Sequence, residues 1–191
     1  MRKITAVEFV SVDGVAEAPE VWSAQYFNEE MMGIAQAGMD SADAMLLGRR
    51  TYQDFAAYWP QQPNDAPFAE WTNTTHKYVV STTLNSLEYG PATLISRDVT
   101  TEVTNLKEQP GKGISLLGSP TLVRSLLSEG IIDELAMFLV PIVVGKGKRL
   151  FEEPIGELPL RLADSRTLSN GVVYLTYGQA EGGMAGSPRV P

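Results

Sequence analysis

Apolar and polar residues alternate in blocks along the chain, and these blocks predict strands and helices in turn. Residues 4–12 form a run that is mostly apolar and rich in β-branched side chains, and it stops at Asp13-Gly14, a turn pair. Further short strands are predicted at residues 44–47, 77–80, 92–95 and 113–117. Apolar residues at helical spacing follow the predicted strands at 4–12, 44–47 and 113–117. This order predicts a mostly parallel sheet with helices on both faces.

The C-terminal part of the chain departs from this alternation. Residues 135–144 are apolar at successive positions, which predicts a strand covered on both faces. Residues 158–168 and 172–177 are separated by Ser169-Asn170-Gly171, a sequence typical of a hairpin turn. We therefore expect a three-layer α/β/α fold in which a mostly parallel central sheet ends in a C-terminal antiparallel hairpin.

Composition and charge restrict the classes of function. The 23 acidic and 15 basic side chains give a formal charge of -8, which argues against a nucleic-acid partner. The chain has no cysteine, which excludes disulfides and cysteine-ligated metals, and we expect no metal site. No stretch approaches the roughly 20 apolar residues of a membrane helix, so we expect no membrane partner and a cytoplasmic location. One domain is expected over residues 1–180, followed by a flexible tail at 181–191.

Several predicted strands end in residues suited to binding anions. These strand ends are Gly48-Arg49-Arg50-Thr51, Ser81-Thr82, Ser96-Arg97 and Gly118-Ser119-Pro120-Thr121. In a parallel sheet the carboxyl ends share one edge, where ligands bind. The helix after Gly118-Ser119 directs free N–H groups toward an anion, and the two arginines with the hydroxyls of Ser81-Thr82 supply a second anion site. Two anion sites predict a dinucleotide phosphate, although each motif by itself is explained by an ordinary helix start or a solvated arginine pair.

The glycines Gly145 and Gly147 follow a strand but lack the third glycine of a Rossmann fingerprint, so we predict a turn there. The phosphate-loop, zinc-protease and serine-esterase motifs do not occur in the sequence.

Taken together, these motifs resemble the dihydrofolate reductase-like superfamily. The branch in question is the one shared with the reductase domain of bacterial bifunctional riboflavin deaminase-reductases. The resemblance runs from Val10-Ser11-Val12-Asp13-Gly14 to the final hairpin. It is carried by Leu46-Leu47-Gly48-Arg49-Arg50-Thr51-Tyr52, Val79-Val80-Ser81-Thr82, Leu117-Gly118-Ser119-Pro120-Thr121-Leu122 and the run from Asp133 to Phe151.

This resemblance implies that NADPH lies across the sheet edge. Arg49, Arg50 and Thr51, behind Gly48, would start the helix that faces the pyrophosphate and the 2′-phosphate. Ser81 and Thr82 would complete the 2′-phosphate site, and Gly118, Ser119 and Leu122 would hold the pyrophosphate from the other side. Pro120, Ser96 and Arg97 complete the predicted cofactor-binding set. Relatives of this kind are commonly homodimers.

The substrate side matches the folate enzymes less closely. Those enzymes use a carboxylate near the start of the first helix, for which this chain offers Glu29 or Glu30, and a threonine where this chain has Phe138. The predicted catalytic residues are Glu29, Glu30 and Asp13, and the proton donor is one of these, Glu17 or a bound water.

Aromatic and imidazole side chains give weaker signals. Trp22, Tyr26 and Phe27 are interpreted either as an aromatic wall for a flat ring or as core packing. His76, which is the chain's single histidine, is assigned a structural role.

Three hypotheses follow. The first is an NADPH-dependent reductase of a small heterocyclic substrate, of the pteridine or ribosylaminopyrimidinone class, by direct hydride transfer. The second is an NADP(H)-binding protein without turnover. The third is a structural homodimer that has lost the cofactor site.

Overall fold

Eight strands form one mixed sheet in the computed structural model, which describes residues 1–152 and 156–180. The predicted tail at 181–191 lies outside the described residues. The strands are β1 (Ile4–Ser11), β2 (Ala42–Gly48), β3 (His76–Val80), β4 (Ala92–Ile95), β5 (Gly113–Leu117), β6 (Glu134–Val140), β7 (Leu160–Thr167) and β8 (Val173–Gln179). The helices are α1 (Pro19–Trp22), α2 (Glu29–Asp40), α3 (Arg49–Tyr58), α4 (Ala69–Thr74), α5 (Val99–Glu108) and α6 (Pro120–Ser128).

The order of the strands in the sheet is β4-β3-β2-β5-β1-β6-β8-β7. The first six are parallel, whereas β8 is antiparallel to both β6 and β7. The mostly parallel sheet with a C-terminal antiparallel hairpin is therefore confirmed. Within the described ranges, no helix has the length and apolar character needed to cross a membrane.

Strand β1 shows how the sequence builds two covered faces. Alternate residues of a strand point to opposite sides of a sheet. Ile4, Ala6 and Val10 belong to the core cluster that contains Leu122 of α6, whereas Phe9 packs with the cluster on the other face. That second cluster contains Met31 of α2. The sheet is thus covered by α6 on one face and by α2 on the other, which gives the predicted three layers.

The predicted strand at 135–144 is shorter than the apolar run that predicted it. Strand β6 ends at Val140, directly before Pro141, because proline has no N–H to continue a ladder. The next residues turn toward the loop after β1, and the carbonyl of Ile142 accepts a hydrogen bond from the Val12 N–H at 2.9 Å. The apolar character of this segment therefore reflects loop packing beyond Val140.

Two short helices, α1 and α4, were not predicted from the sequence. They contain 4 and 6 residues. Elements of one or two turns are too short to show a helical periodicity of apolar residues.

The carboxyl edge of the sheet opens between β1 and β5. The connection from β1 reaches β2 through α2, whereas the connection from β5 reaches β6 through α6 on the opposite face. These neighbouring strands therefore define a topological switch point, where open α/β sheets bind ligands. Pairing between β1 and β5 ends at Val7 and Leu117, but pairing between β1 and β6 continues to Ser11 and Val140.

A buried lysine fastens the segment after β3 to α3. Lys77 is fully buried, and its Nζ donates a hydrogen bond to the Thr75 carbonyl at 2.8 Å. The same Nζ lies 4.6 Å from the centre of the Tyr89 ring, a cation–π contact. The Tyr89 N–H donates to the hydroxyl of Tyr52 in α3 at 2.8 Å. This network holds the loop between β3 and β4 beside the helix that follows β2.

The buried lysine predicts a pH-dependent stability. Burial lowers the pKa of Lys77 from 10.5 to about 8. Between these values the unfolded chain holds a proton on Lys77 that the folded protein lacks. The free energy of unfolding should therefore rise as pH increases from about 8 to about 10. Lys77→Met should abolish this rise, and Lys3→Met, at an exposed position, should retain it. Urea denaturation across this range checks the prediction, and an unchanged slope in Lys77→Met would contradict it.

Candidate functional site

Two helix starts meet at the carboxyl ends of β2 and β5. Helix α3 begins directly after Gly48, and α6 begins directly after Gly118-Ser119. The hydroxyl of Ser119 accepts a hydrogen bond from the Gly48 N–H at 2.9 Å and lies 2.7 Å from the hydroxyl of Thr51. This contact of Ser119 with Gly48 and Thr51, here called the Ser119 bridge, joins the beginnings of the two helices.

The backbone at the bridge leaves both helix starts available to an anion. Ser119 has a φ of 64°, in the left-handed region, and its hydroxyl does not cap α6. Gly48 precedes α3 and has no side chain to cap it. The first N–H groups of a helix lack partners inside the helix and carry partial positive charge. Two such ends side by side can bind the phosphates of a nucleotide.

Gly48 allows the close approach of the two segments. A Cβ added at Gly48 would lie 2.5 Å from Ser119 Oγ and 2.9 Å from Ser119 Cβ. Both distances are shorter than real Cβ contacts, so a larger residue would displace the bridge. Gly118 has a φ of 54°, which a glycine adopts without strain.

The two predicted arginines differ in their contacts. Arg49 is exposed at the start of α3. Arg50 Nη1 lies 2.6 Å from Glu17 Oε1 in the loop after β1, although the Arg50 side chain remains 70% exposed. Glu17 Oε2 also accepts a hydrogen bond from the Lys148 N–H at 3.0 Å. This bond, together with the charge of Arg50, lowers the pKa of Glu17. Glu17 thus pairs as a carboxylate with a side chain predicted to bind phosphate.

The remaining predicted cofactor residues lie further along the same edge. Ser81, after β3, is buried, and its hydroxyl accepts hydrogen bonds from the N–H groups of Thr83 and Leu84 at 3.2 and 3.1 Å. Ser81 therefore shapes the turn, and Thr82 beside it is exposed.

Ser96 and Arg97 follow β4, which is separated from β2 by β3, and both are exposed. Pro120 occupies the first turn of α6, whose Leu122 is buried in the core. The structure brings Gly48, Thr51, Gly118 and Ser119 into contact, and the roles of the other cofactor residues stay predictions.

Asp13 fastens two loops together. Its carboxylate accepts hydrogen bonds from the hydroxyl of Ser11 at 2.7 Å and from the N–H groups of Val144 and Gly145 at 3.0 and 2.8 Å. These bonds lower the pKa of Asp13 to about 2. A group this acidic carries no proton near neutral pH, so Asp13 is a poor proton donor. Gly145 and Gly147 form the predicted turn, with φ values of 79° and 110°.

The two glutamates at the start of α2 have different surroundings. Glu30 accepts hydrogen bonds from the N–H of Ser169, at 2.8 Å, and from the Ser169 hydroxyl. The contacts with Ser169 lower the pKa of Glu30. Glu30 therefore ties α2 to the turn between β7 and β8. Glu29 is exposed.

The three predicted wall aromatics do not share one surface. Trp22 is buried and donates from Nε1 to the Glu17 carbonyl at 2.9 Å. The hydroxyl of Tyr26 donates to the Pro141 carbonyl at 3.3 Å, and both aromatics pack in the cluster under α2. Phe27 instead meets the ring of Phe68 edge-on, with ring centres 6.3 Å apart. Core packing explains Trp22 and Tyr26, which agrees with the second of the two interpretations.

A different aromatic stack lies on the α2 side of the switch point. The rings of Phe9 and Phe138 stack with centres 4.8 Å apart, and Tyr174 lies 4.9 Å from Phe138. Phe138 was a candidate because it replaces the threonine of the folate enzymes, whereas Phe9 stands in an apolar strand like any core residue. Only its position two residues after Val7, the last residue of β1 that pairs with β5, distinguishes it.

His76 lies away from this edge. It occupies the amino end of β3, and its Nε2 is 2.9 Å from the hydroxyl of Thr93. Its structural assignment agrees with this position. Nowhere in 1–152 or 156–180 do three His, Asp or Glu side chains form a group that could hold a metal ion.

The sheet order and the joined helix starts define a dihydrofolate reductase-like α/β protein. A putative riboflavin biosynthesis protein from Shewanella sp. PV-4 superposes with a TM-score of 0.75 at 19% identity, covering 94% of this chain and 99% of that one. A dihydrofolate reductase from Enterococcus faecalis, complexed with NADP(H) and RAB-propyl, gives a TM-score of 0.59 at 12% identity, covering 94% and 97%.

The chain belongs to the RibD C-terminal domain family, whose model matches residues 2–174. It is also similar to the uncharacterized protein YyaP of Bacillus subtilis (strain 168). The two are 32% identical over 179 residues, which cover 92% of this chain and 94% of YyaP. The family resemblance predicted from the strand-end motifs is confirmed.

Crowding at the Ser119 bridge predicts a compensating pair of substitutions. Gly48→Ala should lower the free energy of unfolding by about 1–3 kcal/mol, the usual cost of overpacking. Ser119→Gly removes both clashing atoms at a φ that glycine accepts, so the double variant should recover most of this loss. Gly33→Ala is the control, since nothing lies within 4 Å of the added Cβ. Chemical denaturation measures the unmodified protein, the three single variants and the double variant, and a double variant no more stable than Gly48→Ala would contradict the prediction.

Proposed function

We propose that this protein is an NADPH-dependent reductase of a small heterocyclic substrate. The observation that carries the proposal is the Ser119 bridge, which sets two uncapped helix starts side by side at the switch point of the sheet. Membership of the RibD C-terminal domain family supports it, as does the NADP(H) complex of the structurally similar dihydrofolate reductase.

The residues at this edge fit a phosphorylated dinucleotide. Gly48 and Gly118 let the backbone approach a phosphate, and the first turns of α3 and α6 supply N–H donors, apart from Pro120, which has no N–H. Arg49 and Arg50 add positive charge beside these donors in a chain whose formal charge is -8. When bound, NADPH supplies the hydride from its nicotinamide ring. The protein's own task is then to hold the cofactor and to admit a flat substrate next to it.

The substrate belongs, in this proposal, to the pteridine or ribosylaminopyrimidinone class. Phe9, which is partly exposed and stacks on the buried ring of Phe138, offers an aromatic surface to a flat heterocycle on the α2 side of the switch point. The name of the Shewanella protein, which refers to riboflavin biosynthesis, points to the same class. Since hydrogen bonds hold Asp13 and Glu30 as carboxylates, a water molecule is the better source of the proton.

A cofactor-binding protein without turnover is the second candidate. Phe138 occupies the position where the folate enzymes have a threonine, and its apolar ring is buried against Phe9. A cytoplasmic homodimer is proposed for either candidate.

Titration with reduced cofactors tests the proposal. NADPH should raise the melting temperature and NADH should raise it less, because only NADPH carries the 2′-phosphate. Oxidation of NADPH with a ribosylaminopyrimidinone or with dihydrofolate then separates a reductase from a binding protein. Absence of binding by either cofactor would favour a structural homodimer instead.

The arginine pair predicts cofactor selectivity. The double variant Arg49→Ala/Arg50→Ala should weaken the binding of NADPH by about 1–3 kcal/mol, the range for charged hydrogen bonds. It should weaken the binding of NADH less. Arg161→Ala, in β7 at the far edge of the sheet, is the control and should leave both affinities unchanged. Isothermal titration measures them. Equal losses for the two cofactors would argue against a 2′-phosphate site.

Removal of the ion pair between Glu17 and Arg50 should increase the affinity for NADPH. An exposed ion pair contributes about 0–1 kcal/mol, so the carboxylate competes only weakly with a phosphate for the guanidinium. Glu17→Gln removes the competing charge but keeps an acceptor for the Lys148 N–H, and NADPH should bind up to a few-fold more tightly. Glu20→Gln, at an exposed neighbouring position, should have no effect. Weaker NADPH binding by Glu17→Gln would show that the loop, rather than the ion pair, controls access.

A further inference from the structure

One carboxyl group is buried in the core without a partner. Glu8, in β1, is 2% exposed, and its Oε1 has no hydrogen-bond partner. Among the residues that the structure describes, it is the one buried side-chain nitrogen or oxygen atom in this condition. Buried polar atoms are nearly always hydrogen-bonded, since an unmade bond costs the full desolvation of the group. Such an atom calls for a ligand or another functional explanation.

The position of Glu8 coincides with the switch point. The last pairing of β1 with β5 joins Val7 to Leu117, so Glu8 stands level with Gly118, where the two strands part. The N–H of Gly118 still reaches the Val7 carbonyl, at a long 3.5 Å. Glu8 is therefore the first residue of β1 beyond the closed part of the β1–β5 ladder. Any ligand group that enters between these strands passes beside it.

The face of the sheet on which Glu8 lies favours the cofactor over the substrate. Glu8 shares its side of β1 with Ala6 and Val10, which pack in the cluster that includes Leu122 of α6. Helix α6 begins at the Ser119 bridge. The aromatic stack of Phe9 and Phe138 lies on the other face, under α2. Glu8 thus lies on the α6 side of the sheet, away from the aromatic stack, and α6 is one of the two helices that start at the proposed phosphate site.

The chemical state of Glu8 is that of a neutral acid. Burial raises its pKa to about 8, and no charged neighbour contributes to the shift. At neutral pH the side chain therefore carries one O–H donor and one carbonyl acceptor. A primary carboxamide presents the complementary pair, a carbonyl acceptor and an N–H donor, on adjacent atoms.

We propose that Glu8 binds the carboxamide of the nicotinamide ring at the gap between β1 and β5, by a matched pair of hydrogen bonds. The inference rests on the proposed NADPH site and deepens it. It makes Glu8 a cofactor-contacting residue that orients the nicotinamide ring, whereas the Ser119 bridge and the arginines hold the phosphates.

Binding measurements with two ligands test this assignment. The ligands are NADPH and 2′-phospho-ADP-ribose, which has the phosphates but no nicotinamide. Glu8→Leu should weaken the binding of NADPH about tenfold, which corresponds to the loss of a net hydrogen bond or two. The affinity for 2′-phospho-ADP-ribose should not change. Glu8→Gln offers the same donor and acceptor as the neutral acid and should retain most of the NADPH affinity. Glu134→Leu, at the amino end of β6, is the matched control and should change neither affinity.

A cofactor analogue provides a second, independent arm. In the reduced 3-acetylpyridine analogue of NADPH, a methyl group replaces the carboxamide nitrogen. The unmodified protein should bind this analogue more weakly than NADPH, and Glu8→Leu should bind the two equally. Because leucine removes a buried acid from an apolar cluster, Glu8→Leu should also melt at a higher temperature at neutral pH, which confirms that it folds.

The outcomes distinguish failure of the proposed function from failure of the role assigned to Glu8. If the unmodified protein binds neither NADPH nor 2′-phospho-ADP-ribose, the proposed function fails and this inference fails with it. If it binds both and Glu8→Leu binds NADPH as tightly as before, the inference alone is overturned. Equal weakening of both ligands by Glu8→Leu also overturns it, since that result reports a structural disturbance. A variant in which only the KM of the substrate changes also overturns the inference, because Glu8 would then contact the substrate rather than the cofactor.

Discussion

The hydrogen bonds of a single serine hydroxyl hold the proposed site together. Ser119 adopts a left-handed backbone conformation after β5, and its hydroxyl contacts the Gly48 N–H and the Thr51 hydroxyl after β2. The strain of that conformation is retained because the surrounding contacts determine it, as is usual at functional sites. Without this bridge, the pairing of β2 with β5 would still hold the two strands together, but that pairing ends at Leu46 and Leu116, before the helices begin. An anion held by both helices depends on their fixed separation.

Electrostatic attraction at the edge is local and does not follow the charge of the whole protein. The chain carries a formal charge of -8, so its mean field repels a phosphorylated cofactor at long range. Helix N–H groups and the arginines of α3 act within a few ångströms, where they outweigh that field. Glu17 and Asp13, in the loop after β1, also affect this edge of the sheet. Asp13 fastens this loop to the turn after β6, and Glu17 places a competing carboxylate on Arg50.

The sequence predicted the elements and the edge better than it predicted the side-chain contacts. Alternation and strand-end motifs identified the parallel sheet and placed Gly48 and Gly118 at one edge, because strand ends follow from topology. The contact of Ser119 with Gly48 could not be predicted, since it joins residues 71 positions apart through one side-chain conformation. The burial of Glu8 could not be predicted for a similar reason. A lone acid in an alternating strand is usually solvated, and its burial depends on α6, which comes more than a hundred residues later.

A crystal structure of the protein with NADP⁺ would show whether both helix starts hold the cofactor. We expect the pyrophosphate to lie within hydrogen-bonding distance of first-turn N–H groups of both α3 and α6, beside an intact Ser119 bridge. A cofactor found elsewhere on the sheet, or a pyrophosphate touching neither helix start, would contradict this expectation.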